Sequence, residues 1–264
     1  MSATIERRPA PRGVIAMVHL APLPGSPGWA GSMGAVLERA RADARSLAEG
    51  GVDAVLVENY GDLPFLKGRL PPETVASLTA AVLAVGAEVS LPVGVNALRN
   101  DAEAALGIAA ATGGAFIRVN VHAGGMYTDQ GWIEGRAAAS LRLRERVAPA
   151  VAILADVRVK HAVPPPGLDL VTAARDAWER GLADGLIVSG AGTGEPTPME
   201  DVTVIRDRLP DAPLYVGSGI TPETVGPALE IADGVIVGSA LQRRGAGTGV
   251  EVERVRRLVA AARG

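Results

Sequence analysis

A closed (β/α)8 barrel, α/β in class, is the fold that this sequence predicts, on three observations. Eight short apolar runs alternate with helix-like stretches, and no linker breaks the rhythm. Such alternation implies a parallel sheet with helices on its faces. The length of 264 residues suits a fold that typically needs about 250. Two Gly-Ser turns, Gly217-Ser218-Gly219 and Gly238-Ser239, end the last two runs, where barrels of this class frequently build a phosphate site. An open doubly wound sheet is the competing architecture, because its turns use similar glycines. The expected division is a tail over residues 1–12 and one barrel domain over 13–264.

Gly13-Val14-Ile15-Ala16-Met17-Val18 is the first strand. Residues 19–29 hold three prolines and two glycines, which forbid regular structure and mark an ordered loop or lid. A helix pattern over 33–49 stops at Gly50-Gly51. Ala54-Val55-Leu56-Val57-Glu58 is strand two, with its helix over 73–85. Pro92-Val93-Gly94-Val95-Asn96 is strand three. Asn100-Asp101-Ala102-Glu103 then has the spacing of a capping box, with Asn100 at the cap. Residues 115–121 form strand four, followed by a long loop through Gly124-Gly125 to Gly131 and a helix over 136–147.

Val151-Ala152-Ile153-Leu154-Ala155-Asp156 is strand five, with a helix over 169–180. Gly185-Leu186-Ile187-Val188-Ser189 is strand six. Thr197-Pro198-Met199-Glu200 reads as a second capping box with proline at the first helical position. Leu214-Tyr215-Val216 runs into the first Gly-Ser turn, after which Thr221-Pro222 has the chemistry of a helix start. Free N–H groups at such a start suit a phosphate. Residues 233–237 run into the second turn, and a last helix spans 250–262.

Composition excludes several classes. A net charge of −3, from 26 basic and 29 acidic groups, gives no strong attraction to nucleic acid or anionic lipid, so no nucleic-acid partner is expected. The absence of cysteine removes disulfides, thiolate metal sites and cysteine nucleophiles, and fits a cytoplasmic setting. Residues 1–12 lack the apolar core of a signal peptide. No apolar run is long enough to span a bilayer, so no transmembrane segment is expected.

Active sites of these barrels lie at the C-terminal ends of strands. The informative residues are therefore the polar ones where each apolar run stops: His19, Glu58, Asn96, Asn120, His122, Asp156 and Ser189, with Ser218 and Ser239. In strand four, Phe116, Arg118, Asn120 and His122 share one face by alternation, and Ile117, Val119 and Val121 share the other. The polar face points into the barrel, where Arg118 needs Glu58 or Asp156 as a partner. Asp156 and Glu58 are the proton-transfer candidates, with Lys160 or His161 assisting. Gly217, Ser218, Gly219, Gly238 and Ser239 would hold phosphate, with Ser189 and Thr193 adding hydroxyls. Three histidines with Glu58 and Asp156 leave a divalent metal as an open alternative, but no tight ligand motif such as H-E-x-x-H occurs and no metal ligand is assigned. There is no Walker loop and no G-x-G-x-x-G fingerprint, so no nucleotide cofactor is expected.

Several stretches together resemble the BtpA/SgcQ family. They are Val18-His19-Leu20, Val57-Glu58-Asn59-Tyr60-Gly61-Asp62, Gly94-Val95-Asn96-Ala97-Leu98-Arg99-Asn100-Asp101, Phe116-Ile117-Arg118-Val119-Asn120-Val121-His122 and Asp156-Val157-Arg158-Val159-Lys160-His161-Ala162. Val216-Gly217-Ser218-Gly219 completes the set. The resemblance implies a single barrel of the ribulose-phosphate-binding type. Glu58, Asn96, Arg118, Asn120, Asp156, Lys160 and His161 match the recurring polar positions. Gln242-Arg243-Arg244 stands where the family pattern often has lysines, and Pro164-Pro165-Pro166 is unusual. The family's name refers to photosystem I assembly, and other members are described as nucleosidase-like or sugar-related enzymes. The resemblance leaves two expectations. One is an enzyme that cleaves, isomerises or splits a small phosphorylated sugar or ribosyl compound, as a homo-oligomer. The other is a non-catalytic assembly factor for a membrane protein complex, which would bind its partner through an exterior apolar patch.

Overall fold

The structure is a computed structural model, and it describes residues 6–244 and 247–264; the first five residues of the expected tail lie outside the described residues. In chain order the strands are β1 (Gly13–His19), β2 (Ala54–Glu58), β3 (Val93–Asn96), β4 (Phe116–Val119), β5 (Gly125–Thr128), β6 (Gly131–Glu134), β7 (Ala152–Asp156), β8 (Ala162–Val163), β9 (Gly185–Val188), β10 (Leu214–Val216) and β11 (Gly234–Val237). Eight of them pair in parallel as β1-β2-β3-β4-β7-β9-β10-β11 and close from β11 back to β1. The helices α1 (Met33–Gly50), α2 (Pro72–Gly86), α3 (Ala102–Thr112), α4 (Ala137–Val147), α5 (Leu170–Arg175), α6 (Met199–Arg208), α7 (Val225–Ile231) and α8 (Val252–Arg263) alternate with the barrel strands. The closed barrel, not the open sheet, is the fold.

Strand alternation divides the core in two. Ile15, Met17, Ala54, Leu56, Phe116, Ala152, Leu154, Ile187, Tyr215 and Ile236 fill the barrel interior. Their neighbours along the strands, such as Val55, Ile117 and Ile153, pack outward on the helices. Gly94 faces the Phe116 ring, and a Cβ there would collide with it. The smallest residue of β3 thus makes room for the aromatic ring of β4.

The base of the barrel is closed by the chain before β1. Tyr215 donates its hydroxyl to the Pro11 carbonyl at 2.9 Å. Arg7 donates to the carbonyls of Ala183 and Trp178 at 2.7 and 2.8 Å and lies 3.9 Å over the Trp178 ring. Asp184, wholly buried, accepts from Arg144 at 2.6 Å and from the backbone N–H groups of Ile153 and Arg8, both at 2.8 Å. One carboxylate therefore ties α4, β7 and the base strap together.

Local structure departs from the sequence expectations in four places. The α3 cap is Asp101, which accepts from the Ala104 N–H at 3.0 Å. Asn100, at φ 68°, instead pairs its amide with both backbone groups of Val121. Thr197 caps nothing; its hydroxyl donates to the Ser218 carbonyl at 3.0 Å and joins two mouth loops. Helix α7 starts at Val225, not Pro222, because residues 221–224 form a turn closed on the Thr224 hydroxyl. The expected long loop at 124–131 is the hairpin β5–β6, joined by β8 into a three-stranded antiparallel sheet. Four-residue strands bounded by glycines carry too little alternation to be read in advance.

Removing the carboxylate that holds fully buried Arg144 should cost about 3–5 kcal/mol. Urea denaturation of Asp184→Ala is the measurement, and a midpoint equal to wild type would refute this account of the base.

Candidate active site

The inward parity of the strands sets the site. Two residues beyond the last interior apolar side chain, each strand end turns polar or becomes glycine. His19 follows Met17, Glu58 follows Leu56, Asn96 follows Gly94, Asp156 follows Leu154, Gly217 follows Tyr215 and Gly238 follows Ile236. A cavity of about 370 Å³ opens above this layer, within the range of about 300–1,000 Å³ usual for small-molecule sites.

Its floor is ionic. Arg118 donates from Nε and Nη2 to the two oxygens of Asp156 at 2.9 and 2.8 Å. Asn120 donates to Asp156 at 3.0 Å. The Asp156 side chain has no exposed surface, so it stands behind Arg118 and Asn120, which line the cavity. Asn120 Oδ1 is buried without a partner. Glu58 is the carboxylate that lines the cavity. It accepts from Asn96, and burial pushes its proton affinity up against the opposing pull of Arg118 and Lys160. Lys160 donates to the Gly217 carbonyl at 2.8 Å. Burial, helped by Arg118, lowers its pKa to about 8.

His19 has a defined tautomer. The Thr248 N–H donates to Gln242 Oε1 at 3.0 Å, which fixes the orientation of that amide. Gln242 Nε2 therefore donates to His19 Nδ1 at 2.9 Å, and the ring proton sits on Nε2. Nε2 lies 3.7 Å from Glu58 Oε1. Burial, with nearby Lys160, Arg118 and Arg39, lowers the pKa to about 3, so the ring is neutral. It stacks on Tyr60 with centroids 4.4 Å apart.

The opposite rim is made by Thr193, Gly194, Gly217, Ser218, Gly219, Gly238 and Ser239. Gly219, at φ 70°, lies so close to Pro196 that a Cβ would strike its backbone. A Cβ on Gly238 would come within 2.7 Å of the His19 ring. The N–H groups of Ser239 and Ala240 open a short 3-10 turn that no side chain among the described residues caps. Ser218 accepts from the Gly190 N–H at 2.7 Å, so its hydroxyl braces the loops. The sequence placed anion donors at a helix start after Gly219; α7 begins at Val225, so among the described residues no helix N-terminus stands at that turn.

Among the other expected residues, His161 lines the rim, with Nε2 3.1 Å from the Thr193 hydroxyl. Ser189 stands 3.4 Å from Asp156, behind the lining. His122 is not in the cavity. The inward parity of β4 carries one residue past Val119, to Asn120, and the His122 ring is buried against the Gly181 carbonyl at 2.7 Å. The three histidines therefore do not converge, and among the described residues no three His, Asp or Glu side chains group as for a metal ion. Tyr60, Phe65, Leu98 and Arg99 also line the cavity. None was singled out from sequence, because loop residues follow no strand period; Gln242 lies beyond the last strand for the same reason.

The BtpA family profile matches residues 10–264. The chain belongs to the BtpA family. It is 49% identical over 232 residues to the photosystem I biogenesis protein BtpA of Synechocystis sp., covering 88% of this chain and 81% of the relative. Solved structures share the fold at low identity. N-(5'-phosphoribosyl)anthranilate isomerase from Pyrococcus furiosus matches with TM-score 0.58 and 13% identity over 96% of this chain and 98% of that one. Thiamine phosphate pyrophosphorylase from the same organism matches with TM-score 0.57 and 16% identity over 96% and 97%. Among the described residues no helix is long and apolar enough to cross a membrane.

The His19 assignment has a direct check. Nitrogen-15 NMR should show the Nε2–H tautomer, with ring shifts constant between about pH 5 and 8. Gln242→Leu should mix the tautomers. A ring that titrates in that window in the wild-type protein would contradict the geometry.

Proposed function

We propose that the protein is a cytoplasmic enzyme acting on a small phosphorylated sugar or ribosyl compound, with Glu58 as the proton-transfer group. One observation carries this reading. A buried carboxylate of raised proton affinity and a lysine of lowered proton affinity line one cavity whose rim consists of glycine turns. Environments that push acid and base toward the operating pH mark proton-transfer sites. The amides of Gly219, Ser239 and Ala240 would take the phosphate, with Thr193 and His161 at its side. Relatives in fold are named for phosphorylated compounds, which agrees with that reading.

Glu58 would remove a proton from substrate carbon or hydroxyl. Lys160 and the His19 Nε2–H would donate to the oxygen on which negative charge develops. Asn96 orients Glu58, and Arg118 faces the same charge from the floor. Asp156, assigned proton transfer from sequence, becomes the anchor of Arg118 and Asn120, since its oxygens are engaged by them. Glycosidic cleavage by two carboxylates needs both at the scissile bond. With Asp156 behind the lining, Glu58 is the carboxylate left facing the substrate, and ribosyl-bond cleavage assisted by Glu58 alone, lyase and isomerase chemistry are the forms this reading takes.

Glu58→Gln should bind ligand but lose roughly 10²–10⁴-fold in kcat. Turnover at the native rate would sink the assignment. As a base, Glu58 works unprotonated, so kcat/KM should fall as pH drops through its pKa, which lies above the ordinary carboxylate range. On the alkaline side it should fall as Lys160 loses its proton near pH 8. Lys160→Met should erase that alkaline limb; its persistence would remove Lys160 from the mechanism.

A second reading is an assembly role through an exterior apolar patch. Register aligns Trp132, Tyr127 and Val163 across β6, β5 and β8, and they are 38%, 53% and 65% exposed. An apolar row of this kind is a candidate contact surface, for a membrane-complex partner or for a second copy of this chain. The name of the Synechocystis relative supports the former. A pull-down from a source lysate should then survive Glu58→Gln with Lys160→Met and fail with Tyr127→Ser and Trp132→Ser; the reverse pattern would reject the surface.

A further inference from the structure

The cavity has two chemically different poles, and the barrel order sets them face to face. In the ring β1-β2-β3-β4-β7-β9-β10-β11, β2 stands opposite β9, and β3 stands opposite β10. The loops after β9 and β10 carry Thr193, Gly194 and the Gly217–Gly219 turn. This pole is small, polar and rich in backbone amides. The loops after β2 and β3 carry Tyr60, Phe65, Leu98 and Arg99. This pole offers two aromatic rings, an aliphatic side chain and a flat guanidinium.

The second pole is held in shape. Asn59 accepts from the Leu98 N–H at 2.7 Å and donates to the Leu98 carbonyl at 3.1 Å and to Asp62 at 3.0 Å. The loops after β2 and β3 are thereby locked together. The Asp62 carboxylate is taken up by Asn59 and by the Leu23 N–H at 2.7 Å. Arg99 donates to the Lys160 carbonyl at 2.7 Å, and its buried Nε has no partner. The wall thus provides little to accept hydrogen bonds from sugar hydroxyls. It provides π-faces and a guanidinium plane, on which a flat ring stacks. Between the poles, Asn120 Oδ1 is a buried acceptor with no donor among the described residues, and buried polar groups are normally paired. A hydroxyl or N–H of a bound molecule would supply that donor.

We infer that the substrate is a sugar phosphate bearing a flat heteroaromatic ring at the carbon remote from the phosphate, the chemical class of nucleoside 5′-monophosphates. The phosphate lies on the glycine turns, the ring lies on Phe65, Leu98 and Arg99, and the sugar crosses Glu58 and Asn120. This inference rests on the phosphorylated-substrate reading above and adds the ring to it.

Isothermal titration with inorganic phosphate, ribose 5-phosphate, the four common ribonucleoside 5′-monophosphates and their nucleosides tests it. At least one monophosphate should bind about tenfold or more tighter than ribose 5-phosphate, the scale of one base–aromatic stack. Phe65→Ala should remove most of that gain and leave ribose 5-phosphate binding unchanged. Saturation-transfer NMR on the wild-type protein should label ring protons more strongly than sugar protons. If ribose 5-phosphate binds as tightly as every monophosphate, the ring is no part of recognition and the inference falls while the sugar-phosphate reading stands. Equal loss of both ligands in Phe65→Ala overturns it in the same way. If no phosphate-bearing member of the panel binds, both readings fall.

Discussion

The ion pair between Arg118 and Asp156 is the constraint on which the mouth of the barrel depends. Two opposite charges sit inside a closed sheet, each nearly without exposed surface. Such a pair persists only with good geometry and satisfied remaining lone pairs. Both conditions are met: the contact is bidentate, and Asn120 supplies a further donor to the carboxylate. Losing either partner would leave a buried charge uncompensated, at about 3–5 kcal/mol. The pair also sets the electrostatics above it. With Asp156 neutralising Arg118, Glu58 feels only part of that positive charge, and burial outweighs it. Glu58 is therefore pushed up rather than down.

The same logic separates two carboxylates that look alike in sequence. Both end an apolar strand, and both have inward parity. Asp156 meets a guanidinium at hydrogen-bond distance. Glu58 meets an amide, a neutral imidazole edge and open cavity. Asp156 is held by Arg118 and Asn120 behind the lining, and Glu58 faces the cavity. Around them, hydrogen bonds that bridge loops replace the flexibility expected of a mouth. Ser218, Thr197 and Gly190 join the loops after β9 and β10. Asn59 and Leu98 join those after β2 and β3. On the proposed enzymatic reading, groups held by such ties would need little reorganisation when charge develops.

Periodicity decides how much of this was legible in sequence. A strand side chain repeats every two residues, so the last interior apolar residue of a strand gives the orientation of the polar residues beyond it. That rule found Glu58, Asn96, Arg118, Asn120 and Asp156 as inward groups, and the eight-unit rhythm gave the closed sheet. It failed at His122, because the inward parity of β4 carries only one residue past Val119, to Asn120, before the chain turns away. It could not choose between Glu58 and Asp156 as the partner of Arg118, since that depends on side-chain reach across β4 and β7. Nor could it see Tyr60, Phe65, Leu98, Arg99 or Gln242, which reach the cavity from loops. Caps failed for a related reason. Asn100 and Thr197 have the residue types of caps, yet each found a stronger tertiary partner in Val121 and Ser218.

Gln242 shows what loop residues contribute that strand ends cannot. A histidine buried beside a carboxylate could carry its proton on either nitrogen, and the two forms present opposite faces to a ligand. The choice is made 223 positions away in sequence, by an amide whose own orientation is set by one backbone N–H. With Nδ1 committed as an acceptor, Nε2–H is the only donor His19 has left, and it lies on the Glu58 side. Burial keeps the ring from gaining a second proton. Glu58 is thus spared a neighbouring positive charge that would lower its proton affinity. The raised carboxylate, the neutral histidine and the lowered lysine are consequences of one arrangement. Burial is the first cause of all three, and the Gln242 amide adds the choice of which His19 nitrogen carries the proton.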